Sequence, residues 1–184
     1  MSAIAGRILC LFLPAGIGLG VKLLAVSSWA ERCLTLALLL LCLEQTHMAI
    51  ADLQQIAEVK NQGLKSPRLR RFQQVTLSTL ALELLGFYVA WIWLGGGALL
   101  VLLSLLGFNL LAGVQLQPHQ PVLIEKCGPG QRWPVIVADL VGLVLASLWH
   151  LQIAPLAAAL GLLGMICLYG VIKYGERFFR PNQR

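Results

Sequence analysis

Apolar residues run along this chain in six long blocks separated by short polar stretches. The blocks cover residues 8–26, 33–51, 72–94, 98–116, 135–151 and 156–172. Crossing the hydrocarbon core of a bilayer takes roughly 17 to 25 residues of helix, and each block comes up to that length. Backbone polar groups cannot be left unpaired in lipid, so such blocks fold as helices. The pattern predicts an all-α, polytopic transmembrane helical bundle of about six spans, with residues 1–184 forming a single integral membrane domain.

The polar breaks carry their own signals. The clearest lies between the second and third blocks, where Lys60 falls in a last turn and Gly63 stands where a helix end favours glycine. Ser66 can cap the next helix and Pro67 take its first position. The spacing predicts two long helices folded back on each other. From residue 29 to residue 62 the first of them would rise about 50 Å, against a hydrocarbon core of about 30 Å. Residues 52–62 therefore project beyond the membrane beside the start of the next helix, as a basic-tipped hairpin. Elsewhere, Gly95, Gly96 and Gly97 predict a tight turn into the fourth span. The stretch 117–134, rich in Pro and Gly, predicts a polar loop that is non-helical over much of its length. Pro14 and the glycines at 16, 18 and 20 predict a bent or closely approached first helix, with Gly16 and Gly20 forming a GxxxG pair. The chain has no internal repeat of the kind that marks inverted-repeat transporters.

Composition sharpens this picture. Hydrophobic residues make up 58% and charged residues 12%, against roughly 45–50% and about 25% in soluble domains. Polar stretches outside the blocks reach only about twenty residues, well short of the roughly 50 of the smallest soluble domain. The five cysteines (Cys10, Cys33, Cys42, Cys127 and Cys167) include no CxxC pair and read as small apolar filler, not as a disulfide or zinc framework.

The net charge of +6 changes the picture only through its placement. No aromatic platform for bases is interleaved with the basic residues, which argues against nucleic acid. With the N-terminus in the cytoplasm, twelve of the fourteen Lys and Arg residues fall on the inner side, and only Lys22 and Arg32 fall outside. The positive-inside rule thus predicts a multi-pass protein with both termini cytoplasmic. Arg7 before the first block imitates a signal peptide, but the block's length and Lys22 predict a retained span and no cleaved signal. Trp29, Trp91, Trp93 and Trp149 are expected at the outer interface, Trp133 and Phe72 at the inner one. The hairpin residues Lys60, Lys65, Arg68, Arg70 and Arg71 are expected to face anionic headgroups or to dock a membrane protein partner or second copy.

Charges in hydrocarbon cost about 2.5 to 3.5 kcal/mol each, so those inside spans need a reason. Placing each span by its midpoint puts Glu83 at the centre, with Glu44 and Asn109 within a turn of that depth. His47 and Asp139 fall one to two turns toward the cytoplasm. Glu44 and His47 share a helix face, and counting back from the hairpin turn sets Glu83 level with Thr46. Three readings compete for this cluster. It is a structural hydrogen-bond network, a proton or cation pathway in which the imidazole relays a proton near neutral pH, or a metal or catalytic site. The ExxH spacing of Glu44 and His47 matches half of a di-iron motif, but no second such pair exists. No nucleophile elbow, phosphate loop or HExxH is present. The expectation is a non-enzymatic protein without cofactor or metal: a transport-type, proton- or cation-coupled membrane component, or alternatively a non-catalytic assembly or stabilising subunit of a larger membrane complex.

Overall fold

The computed structural model describes residues 3–63, 66–117, 123–126 and 128–179. Six helices follow in chain order: α1 (Ala3–Ala25), α2 (Trp29–Asn61), α3 (Pro67–Ile92), α4 (Leu94–Leu111), α5 (Trp133–His150) and α6 (Pro155–Phe179). All six contain stretches long and apolar enough to cross a membrane. Leucine, isoleucine and valine side chains lie exposed along their outer faces, Leu13, Ile17, Leu85, Val144 and Leu168 among them. Such a surface suits hydrocarbon better than water.

The helices close into a ring. Contacts run from α1 to α2, then to α6, α5, α4 and α3, and from α3 back to α1. Chain neighbours α2 and α3 therefore stand on different arcs of the ring. They meet chiefly near the turn that joins them, where Ile56 and Val59 pack with Leu69 and Phe72 in a small second core. At that turn Gly63 takes φ +77, a conformation that costs a glycine little. The Ser66 side chain accepts a hydrogen bond from the Arg68 amide at 3.3 Å, ahead of Pro67 in the first helical position. Beyond the turn the two helices separate. The close face-to-face register expected between them does not extend up the bundle, because the small-residue face of α3 is taken by α4.

That α3–α4 contact explains Gly97 of the three glycines, whereas Gly95 meets Trp149 and His150 and Gly96 meets the Trp93 ring. The three form no loop: the chain breaks at Trp93 alone, and α4 begins at Leu94. A Cβ at Gly97 would overlap the backbone of Ala90, and one at Gly86 would lie 2.6 Å from Val101 Cγ2. Glycine here serves close helix approach instead of a turn. By contrast, nothing lies within 4 Å of a Cβ built at Gly16 or Gly20, so the GxxxG of α1 is not a packing contact, and it is Gly18 that meets the Trp91 ring. α1 is held to α3 by Phe12 against Phe87, edge to face at 6.2 Å. Lys22 adds to this by donating to the carbonyls of Ala90 and Trp91 at 2.9 and 2.7 Å, a cation on the electronegative end of α3.

The connection after α4 also departs from expectation. α4 ends at Leu111, and the residues read as the end of a span form a strand, β1 (Val114–Gln117), antiparallel to β2 (Leu123–Lys126). The bundle is helical, but this crossing is a small ribbon, followed by a single 3-10 turn at Pro129–Gln131. Arg132 anchors it, donating to the Val114 carbonyl at 2.8 Å and lying 5.5 Å over the Phe108 ring. Two aromatic residues expected at interfaces are buried: Phe72 against Phe108, and Trp149 at 8% exposure beside Gly95. Trp29, Trp91, Trp93 and Trp133 do face outward.

Candidate functional site

Within the ring lies a half-open cavity of about 1030 Å³ whose wall is built by α2, α3, α4, α5 and α6. At one end Gly142 of α5 lets Leu102 and Leu162 close in, at 3.3 and 3.6 Å from where its Cβ would stand. The cavity runs from there to Asp52, Val135 and Gly175, toward the end of the bundle that carries the α2–α3 turn and the ribbon. Most of the wall is aliphatic. Against it stand four carboxylates, from Glu44, Asp52, Glu83 and Asp139, with His47, Asn109 and the two threonines Thr76 and Thr79.

All five residues singled out within the spans, Glu44, His47, Glu83, Asn109 and Asp139, thus line one cavity. They do not form one hydrogen-bonded cluster. Asn109 donates its amide to Asp139 Oδ2 at 2.8 Å, tying α4 to α5. Glu44 turns to α6, where Lys173 forms an ion pair with one oxygen and the Tyr174 hydroxyl donates to the other at 2.6 Å. His47 is exposed, and among the described residues no hydrogen bond joins it to the others. Nor do any three His, Cys, Asp or Glu side chains among the described residues come together as a metal site.

Glu83 stands apart. It is 1% exposed, and neither carboxylate oxygen has a hydrogen-bond partner among the described residues. One helical turn on, Gly86 seats α3 against Val101. Two turns back along α3, Thr76 donates its hydroxyl to the Phe72 carbonyl within its own helix at 2.9 Å. A buried polar group without a partner is costly, and a carboxylate more so than most. Native proteins keep such groups at few places, and each calls for an explanation.

Lys173 and Tyr174 were not legible as site residues. Lys173 directly follows the sixth apolar block and counts there as one more inner charge. The missing signal is the packing of α6 beside α2. These two helices run parallel in the alternating bundle, so Glu44 and Lys173, each about four to five turns into its helix, come to similar depth. Lys173 also donates to Met48 Sδ at 2.9 Å and lies 5.3 and 5.8 Å from the Tyr169 and Tyr174 ring centres. The basic hairpin residues Lys60, Arg68, Arg70 and Arg71 are exposed around the α2–α3 turn, away from the cavity, and Lys65 lies outside the described residues. Compared with models of known families, with characterised proteins and with solved structures, the chain matches none.

Proposed function

We propose that this chain is an integral membrane transport component. In this reading its cavity holds a solute or ion, and Glu83 carries the coupled proton or cation. One observation supports this above the others: a carboxylate that is 1% exposed and, among the described residues, without a hydrogen-bond partner, on the wall of a cavity of about 1030 Å³. A network built only to hold helices together would satisfy its members, as Asn109 and Asp139 satisfy each other. Glu83 is instead kept available. The Glu44–Lys173–Tyr174 contact takes the structural part, fixing α2 to α6, and His47 at the exposed side of the wall is placed to exchange protons with water.

The distribution of basic residues supports an orientation with the α2–α3 turn, the ribbon and the far end of α6 in the cytoplasm. The end of the cavity at Asp52 and Gly175 would then face the cytoplasm, and the projecting end of α2 would lie among anionic headgroups. The chain moves its ligand without converting it.

The test is complementation of a deletion strain by Glu83→Gln, which keeps size and hydrogen-bonding capacity but cannot release a proton. Normal abundance with lost function is expected, and His47→Gln is expected to give a milder defect, since water can bypass a relay. Full complementation from about pH 6 to about pH 8 would overturn the reading. A second role, as a non-catalytic assembly or stabilising subunit, rests on the exposed basic tip formed by Lys60, Arg68, Arg70 and Arg71. It predicts co-purification of a membrane partner in mild detergent, lost when these four are replaced by Gln.

A further inference from the structure

We infer that the cavity takes a lipophilic organic monocation, with the Glu83 carboxylate as its counter-ion; this rests on the reading of the cavity as a solute site and names its ligand class. The argument begins with charge. Four carboxylates line the wall, and among the described residues no Lys or Arg side chain does. Lys173, from outside the lining, pairs with Glu44. Asp52 interacts electrostatically with Lys173 and Arg132, and Asp139 accepts the Asn109 amide. Glu83 has neither a hydrogen bond nor an ion pair among the described residues. Among the described residues Glu83 is therefore the lining carboxyl left without either a hydrogen bond or a nearby cation, and it sits toward the aliphatic end of the cavity at Leu102 and Gly142.

Four ligand classes can be weighed against this wall. An anion would meet four carboxylates with, among the described residues, no Lys or Arg on the wall to receive it. A neutral apolar molecule would fill the space but leave Glu83 buried and unpaired, which costs free energy. A metal ion would need several oxygen ligands in one place, and among the described residues no three candidate side chains provide them. It would also leave most of about 1030 Å³ unfilled. A bulky organic cation with delocalised or shielded charge loses little hydration on entry. It covers the walls formed by Leu80, Leu102, Leu105 and Met165, and supplies the charge Glu83 lacks. The volume matches the upper range of pockets that enclose drug-sized molecules, about 300 to 1,000 Å³.

The experiment uses purified full-length protein in nanodiscs of zwitterionic lipid, with radiolabelled tetraphenylphosphonium as probe and equilibrium dialysis against empty discs. Saturable one-to-one binding is expected, with the neutral triphenylphosphine oxide competing only weakly. Glu83→Gln should weaken binding about 30-fold or more, as removal of one partner from a buried charge pair does, whereas Glu83→Asp should retain it. Two further measurements that do not depend on Glu83→Gln stand beside it. Leu105→Trp should leave the unfolding temperature close to that of the wild type yet abolish binding by filling the cavity. In the wild-type protein, bound tetraphenylphosphonium should protect Glu83 from dicyclohexylcarbodiimide, read by mass spectrometry of its peptide. Binding no greater than in empty discs, equal binding by wild type and a folded Glu83→Gln, or carbodiimide labelling unaffected by the cation would each overturn the inference. Loss of complementation in Glu83→Gln without any cation binding would sink this inference while leaving the transport reading in place. Cation binding in a protein whose Glu83→Gln variant complements fully would do the reverse.

Discussion

At the scale of single residues, two carboxylates in one cavity are handled in opposite ways. Glu44 is paired twice, through Lys173 and Tyr174, while Glu83 is buried without a hydrogen-bond partner among the described residues. Breaking an ion pair from one side leaves the other charge stranded, and this pair is partly buried, its side chains 21% and 14% exposed. Lys173→Met should therefore destabilise the bundle by roughly 1.5 to 3 kcal/mol, the range for a lost charged hydrogen bond. The double variant Glu44→Gln with Lys173→Met should recover part of that loss, and a double-mutant cycle of unfolding in detergent measures it. An additive cycle would show that the contact does not join α2 to α6 energetically. Glu83 should behave differently, since no bond is lost: Glu83→Gln should leave stability unchanged or raised. The candidate residues themselves could be picked from the sequence because an ionisable side chain inside an apolar block is rare and visible. Their partners could not. Lys173, at the edge of its block, looks like a topology signal until α6 is laid beside α2.

At the scale of elements, glycine carries opposite meanings in two helices that look alike in sequence. In α1 Gly16 and Gly20 face open space, whereas in α4 Gly97 lies against the Ala90 backbone. Gly97→Ala should cost about 1 to 3 kcal/mol by overpacking the α3–α4 contact. Gly16→Ala should be neutral or stabilising by up to about 1 kcal/mol, because alanine is the better helix former. Thermal unfolding of the two variants in one detergent compares them directly, and equal effects would contradict the packing described. Helix existence was legible throughout, since long apolar blocks leave the backbone little choice. Helix ends were less so. The residues 112–116 are apolar enough to pass for the end of a span, yet Gly113 at φ +66 turns the chain and β1 follows. The three consecutive glycines read as a turn because local composition does not reveal which helix lies opposite.

At the scale of the molecule, the order of helices around the ring decides everything the sequence could not. Counting residues from the α2–α3 turn assumes that neighbours in the chain are neighbours in space all the way up. Here α6 and α4 take the places beside α2 and α3, and the space left between them becomes the cavity. Polar groups expected to touch across a hairpin therefore face one another across an open volume. The proposed orientation has its own check. Cys127, outside the described residues, lies in the connection that the charge distribution places in the cytoplasm. With the other four cysteines replaced by Ser, Cys127 should resist an impermeant thiol reagent in sealed cells and react once the membrane is opened. Labelling in sealed cells would reverse the topology. The central claim is that Glu83 is a free carboxyl on a cavity reached by water, and infrared difference spectroscopy tests it most directly. The carboxyl band present in wild type and missing in Glu83→Gln should shift promptly when the folded protein is moved into D₂O. A Glu83 band that stays unshifted until the protein is unfolded would contradict the account.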